Sequence, residues 1–213
     1  MSGSHAPIVS PYAELEPPEI LSRNLQVGAR VMAAAQSFAV LAFVFAYLYL
    51  RTLNSNGDWR PKHVNPSAGI GVAFVACLVL CAVAYFAGVR SLGDGTERRW
   101  RIAASAALVF GLGAVGLIIA QFASISFGPT SGGYASVFVG WMAFYAVNLL
   151  LVLVWLETLV AQSLQAHTQH LAPESGDVSA PFAVMRPAGD AFAVVLSVVI
   201  VLGILGYILL YVV

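Results

Sequence analysis

The stretch GLIIAQFASISFGPTSGGYASVFVGWMAFYAVNLLLV, residues 116–152, decides the fold. It leaves one apolar run, crosses the uncharged Ser/Gly/Pro loop SFGPTSGG, and enters a second apolar run without meeting a single charged side chain. Two such runs read as helices that turn at a membrane surface, because a helix satisfies its own backbone groups where no water can do so. Three kinds of polar group interrupt the stretch: Gln121, the small hydroxyl residues from Ser124 onward, and the pair Tyr145 and Asn148. Whether any of them is catalytic is the first functional question.

The rest of the chain repeats the pattern. Of 213 residues, 60% are hydrophobic and only 9% charged, against roughly 25% charged in a soluble domain. Mean hydropathy is +0.85. Ten basic and ten acidic side chains cancel, so no basic field recruits nucleic acid. Apolar runs at about 29–50, 68–89, 102–126, 135–160 and 189–213 each reach the roughly 20 residues needed to cross the hydrocarbon core. Period-two alternation is absent, which excludes outer-membrane barrel strands. The expected fold is therefore all-α: a five-helix membrane domain over 29–213, preceded by a polar segment, 1–28. That segment carries Glu14, Glu16 and Glu19 and lacks the basic start, apolar centre and cleavage site of a secretory signal, so the first run is expected to stay as a span.

Arginine and lysine orient the spans. With the N-terminus inside, the inner segments hold Arg23, Arg30, Arg90, Arg98, Arg99, Arg101 and Arg186, and the outer ones only Arg51, Arg60 and Lys62. This distribution predicts an N-inside, C-outside topology. Glycines within the spans (Gly111, Gly113 and Gly116, then Gly203 and Gly206) mark places where helix backbones approach closely. The connection from about 161 to 188 is polar, with room for a short extension of the fourth helix but not for a separate domain.

Each intramembrane polar residue has a functional and a structural reading. Glu157 is the acid inside a span; it either handles a proton or substrate, or bonds to a neighbouring helix or an interface water. Asp190 is expected at the start of the fifth helix, accepting from free N–H groups. Gln36 and Gln121 each need a partner, which is another helix, a lipid ester or water. Tyr145 and Asn148, three apart, share a helix face and form a small polar patch without a group that titrates near neutral pH. Cys77 and Cys81 lie one turn apart on one helix, a geometry that does not form a disulfide, and read as small buried side chains. None of His5, His63, His167 or His170 lies in a span, and no phosphate-binding glycine loop or HExxH sequence occurs. The expected catalytic, cofactor and metal residues of this chain are none. Gln36, Gln121, Tyr145, Asn148 and Glu157 are expected as structural or lipid-contacting positions.

The order of motifs along the five spans resembles subunit III of the haem–copper oxidases, the cytochrome c oxidase family, in its short five-helix form. The first span ends AYLYLR (46–51), Trp59 and Pro61 follow in the next loop, the third span ends GLIIAQF (116–122), and GGYASVF (132–138) opens the fourth. The resemblance covers most of residues 25–213 and marks a divergent member. Gln36 stands where the family has a glutamate and Ser124 where an acid often follows; Met142, Ala143, Phe144, Tyr145 and Asn148 replace a threonine-glycine-aromatic-histidine pattern with a second histidine.

The resemblance implies a non-catalytic subunit of a respiratory complex in the bacterial plasma membrane. Haem and copper would then sit in partner subunits I and II, subunit I would be in direct contact, phospholipid would be bound, and supercomplex membership would be open. Proton buffering at the neutralised positions is not expected. Two other readings remain: a related subunit associated with nitric oxide reductase, and a stand-alone transporter or lipid-binding membrane protein for which Glu157 would anchor a polar cavity.

Overall fold

The computed structural model describes residues 18–53, 59–61, 64–93, 96–170 and 180–212; the remainder of the N-terminal segment, His5, His63 and most of the connection after His170 lie outside them. The architecture is all-α, with helices α1 (Pro18–Thr52), α2 (Ala68–Gly93), α3 (Glu97–Ser124), α4 (Gly133–His170) and α5 (Ala180–Tyr207), the last running on into a π-helical turn, Ile208–Val212. All five are long and apolar enough to cross a membrane, and the chain is a five-span membrane protein.

Three boundaries differ from expectation for local reasons. Helix α1 starts eleven residues ahead of its apolar run, with Pro18 leading and Glu19 in the first turn, both favourable where N–H groups are free and the helix dipole is positive. Helix α4 runs ten residues past its apolar stretch, taking in the backbone of His167 and His170. Helix α5 starts at Ala180 and carries Pro187 inside it. A proline there forgoes one intrahelical bond, which membrane helices tolerate where neighbours or solvent serve the freed carbonyl. Asp190 is consequently in the third turn of α5, on an exposed face, and does not cap the helix start as the sequence suggested.

Helix α5 is the hub, packed against α1, α2 and α4, while α3 bridges α2 and α4 on the far side. One end of the bundle gathers the starts of α1, α3 and α5 with their arginines; the opposite end gathers aromatic rings. They are called the basic and aromatic ends below.

Three tyrosine hydroxyls reach the α5 backbone at successive depths. Tyr85 donates to the Gly189 carbonyl at 2.8 Å near the basic end, Tyr145 to the Val199 carbonyl at 2.9 Å in the middle, and Tyr134 to the Leu210 carbonyl at the aromatic end. All three phenols are buried. A carbonyl has two lone pairs, so an in-helix acceptor can take a second donor without losing the first.

Small residues admit these side chains. A Cβ at Gly203 would overlap the Tyr145 hydroxyl and come within 2.6 Å of Leu78 Cδ1, and one at Gly206 would come within 2.8 Å of Trp141 Nε1. Gly111 receives Leu153 across the α3–α4 contact, and Gly88 takes Trp100 between α2 and α3. Of the five glycines expected to mark close helix approach, Gly111, Gly203 and Gly206 are filled by side chains rather than by bare backbone contact, Gly113 has only an ordinary contact with Cys77 Sγ at 3.7 Å, and Gly116 meets nothing within 4 Å.

At the aromatic end, Trp59 latches the α1–α2 loop onto the start of α4. Its carbonyl accepts from the Tyr134 N–H at 3.0 Å, one of the free donors of the first turn. Its ring meets Tyr47 and Tyr134 edge-on, at 5.2 and 6.0 Å, and Arg60 lies 4.6 Å from the Tyr134 ring centroid. Gly132 adopts φ 137°, and a Cβ at Gly133 would sit 3.0 Å from Trp59 Cε3. Gly132 thus turns the chain and Gly133 makes room for the indole. Replacing Gly133 by Leu is expected to eject Trp59 and destabilise the bundle by about 1–3 kcal/mol, the usual cost of overpacking. An SDS or thermal unfolding titration in detergent checks this, and wild-type stability in that variant would refute the latch.

Candidate functional site

The five polar positions singled out in the sequence do not converge on one centre. Gln121, Tyr145 and Glu157 are each placed by different local geometry, and Gln36 and Asn148 are buried without full pairing.

Gln121 lies in the last turn of α3 and is 1% exposed. Its amide faces the backbone of Ser67, the residue just before α2: in the orientation that its surroundings require, the nitrogen donates to the Ser67 carbonyl at 3.2 Å and the oxygen accepts from the Ser67 N–H at 3.0 Å. The same carbonyl accepts from the Gly71 N–H at 3.1 Å, closing the first turn of α2. The buried Gln121 amide therefore completes a helix start from a neighbouring helix, with a backbone group rather than a side chain, lipid or water as partner. Ser124, one turn on, bonds back to the Gln121 carbonyl at 2.9 Å. The loop beyond is closed locally, with Ser131 Oγ accepting from the Gly128 N–H at 3.1 Å and the Ser136 hydroxyl donating to the Pro129 carbonyl.

Tyr145 and Asn148 share a face of α4, yet their bonds diverge. The Tyr145 hydroxyl is committed to Val199, and its ring stands edge-on to Phe74 at 5.6 Å. Asn148 is 8% exposed, and its Nδ2 finds no partner among the described residues. Gln36, 7% exposed on α1, likewise has neither amide atom paired. These are the amides buried without full satisfaction, and they occupy two positions where the resemblance implies ionisable side chains.

Glu157 points out of the bundle. It is exposed on α4 beside Val154 and Thr158, away from Leu153 and Leu156, which fill the core. It therefore anchors no internal polar cavity. Cys77 is half-buried and Cys81 buried, both as free thiols. No group of three or more His, Cys, Asp or Glu side chains that could hold a metal ion occurs among the described residues. A shallow recess of about 230 Å³ on the α1–α5 seam is lined by Ser37, Ser197, Val198, Val201 and Leu202. Both serines there are already bonded within their own helices, Ser37 to the Ala33 carbonyl and Ser197 to the Ala193 carbonyl. The recess is thus apolar in effect, suited to hydrocarbon and without a free polar group for chemistry.

The sequence reading missed Tyr85, Tyr134 and Trp59 as organising residues. A signal was present for Trp59 alone, in Gly133, where a Cβ would crowd the indole. Comparison with protein-family models finds no match, and comparison with curated proteins finds none either.

Replacing Gln121 by Leu removes the partner of the Ser67 N–H, while the Ser67 carbonyl keeps its bond from the Gly71 N–H, so a loss of about 0.5–1.5 kcal/mol is expected. The loss should appear as faster hydrogen exchange in the first turn of α2, read by mass spectrometry. Unchanged exchange around residues 67–71 would show that the amide does not cap α2.

Proposed function

We propose that the chain is a non-catalytic subunit III-like membrane component of a respiratory haem–copper oxidase, supporting assembly, lipid binding and sustained oxygen reduction. In this reading the redox centres belong to its partners. Subunit I is the direct neighbour, subunit II completes the core, and phospholipid fills the shallow surfaces between helices. The N-terminus lies on the cytoplasmic side of a bacterial plasma membrane.

One observation carries the reading. Three of the four stretches on which the resemblance rests meet in space: Tyr47 of AYLYLR, Trp59 of the following loop, and Gly133 with Tyr134 of GGYASVF form the latch at the aromatic end. Motifs far apart in the chain that share one physical job are better grounds for kinship than isolated short matches. The placement of the polar residues is also compatible with a packing role. Gln121 and Tyr145 are spent on backbone carbonyls and N–H groups, and neither is free to relay a proton.

A transporter acting alone loses its anchor, since Glu157 faces outward. On the outer face of a span an acid is costly against lipid, and its position suits a contact with another membrane subunit. The exposed apolar faces of α1 (Phe38, Leu41, Phe45) and α4 (Val147, Leu151, Val154) offer surface for both lipid and such a neighbour.

Purification of the tagged chain from its native membrane in mild detergent tests the proposal. Co-purification of a large copper-containing subunit with haem a absorbance is expected. A b-type haem with non-haem iron would instead assign the chain to a nitric oxide reductase, and a colourless isolated protein would overturn both assignments. Within an assembled oxidase, Glu157→Gln is expected to leave the spectrum and the initial oxygen-reduction rate nearly unchanged. A large immediate loss of turnover would mean that the carboxyl takes part in proton transfer.

A further inference from the structure

The rings of Phe43 and Trp141 set the register of α1 against α4. Their centroids lie 5.9 Å apart, Phe43 meets Phe144 at 5.4 Å, and a Cβ added to Gly140 would lie 3.3 Å from Phe43 Cε1. The two helices cross the membrane in opposite directions. Seven residues back along α1 and seven forward along α4 therefore travel the same distance, about 10 Å, toward the basic end and return to nearly the same face of each helix. Seven back from Phe43 is Gln36, and seven on from Trp141 is Asn148. The two buried, incompletely paired amides thus stand at one depth on faces turned toward each other.

We propose that Gln36 and Asn148 form an internal hydration site between α1 and α4. One water molecule there accepts from the Asn148 Nδ2–H and the Gln36 Nε2–H and donates to Gln36 Oε1, three bonds that match the usual valence of a buried water. Together these serve all three unpaired amide atoms. The chemistry of the site selects this occupant. Both side chains are more than nine-tenths buried, so a lipid headgroup is too large to reach them. Both are neutral, so neither repays an ion for leaving water. Leaving the amides bare in an apolar layer is costly, and a shared water removes that cost for both at once. Helix α1 is thereby tied to α4 near the middle of the bilayer. This inference stands apart from the oxidase assignment and needs none of its partners.

The test is a structure of the full chain, in whatever assembly it purifies with, in lipid nanodiscs and at a resolution that shows ordered water. Discrete density within hydrogen-bond distance of both amides is expected. A direct Gln36–Asn148 bond, or an acyl chain between them, would overturn the site. A double-mutant cycle with Gln36→Met and Asn148→Leu supplies an independent reading in SDS unfolding. Asn148→Leu should shift the folded-to-unfolded ratio by about fivefold, the effect of one lost net hydrogen bond, Gln36→Met by more because it removes two, and the double change by little more than Gln36→Met alone. Fully additive shifts, or none in either single variant, would mean that the two amides share no bound water.

Discussion

Within lipid, helices are held together by close packing and by polar groups that find polar partners, and here three such hydrogen bonds converge on α5 and its terminal turn. Three phenols from two different helices donate to its backbone at Gly189, Val199 and Leu210, spaced about ten residues apart. Apolar attraction between helices is weak when the surrounding solvent is itself hydrocarbon, so such bonds and close steric fit set the arrangement. The glycines of α5 follow from this constraint. Gly203 and Gly206 are small because the Tyr145 hydroxyl and the Trp141 indole need the volume that a side chain would fill. The same logic places Gly111 opposite Leu153 and Gly88 opposite Trp100.

The two ends of the bundle are built differently. The basic end relies on Tyr85 as a junction, with Trp100 at 5.6 Å and Phe192 at 4.9 Å around it, and Trp155 against Phe192 at 5.2 Å. This aromatic chain crosses from α3 through α2 and α5 to α4. The aromatic end relies on a loop: Trp59 is brought over the start of α4 and held by a backbone bond and two ring contacts. Arg60 extends the hold by bonding the Val64 carbonyl and the Asn65 side chain while resting on Tyr134. One end is thus fixed by packing within the membrane and the other by a connection outside the spans.

Much of this was legible in sequence where the signal is additive. Hydropathy summed over twenty residues found all five spans, because each residue contributes independently to membrane partitioning. Helix ends were less legible: α5 begins at Ala180, ahead of Pro187 and Asp190 and before its apolar run starts. Partner choice was the least legible. The need of Gln121 for a hydrogen bond could be read from its apolar setting, but its partner is the backbone of Ser67, which arrives from 54 positions earlier through the packing of α2 on α3. Glu157 shows the same limit, since one residue of rotation on α4 separates the core-facing Leu156 from the outward carboxylate.

The pairing of α1 carries a consequence for how the protein is made. Helix α1 packs chiefly on α5, and next on α4, the two helices of the bundle that are synthesised last. As the ribosome delivers the chain, the first helix therefore waits in the bilayer while α2 and α3 close on each other as an adjacent hairpin. During that interval the Gln36 amide faces hydrocarbon or whatever insertion factor shields it, and the latch residue Trp59 has no helix start to seat on. The bundle is complete only when its final span arrives, so α1 stays without its main neighbour until the last helix has been made.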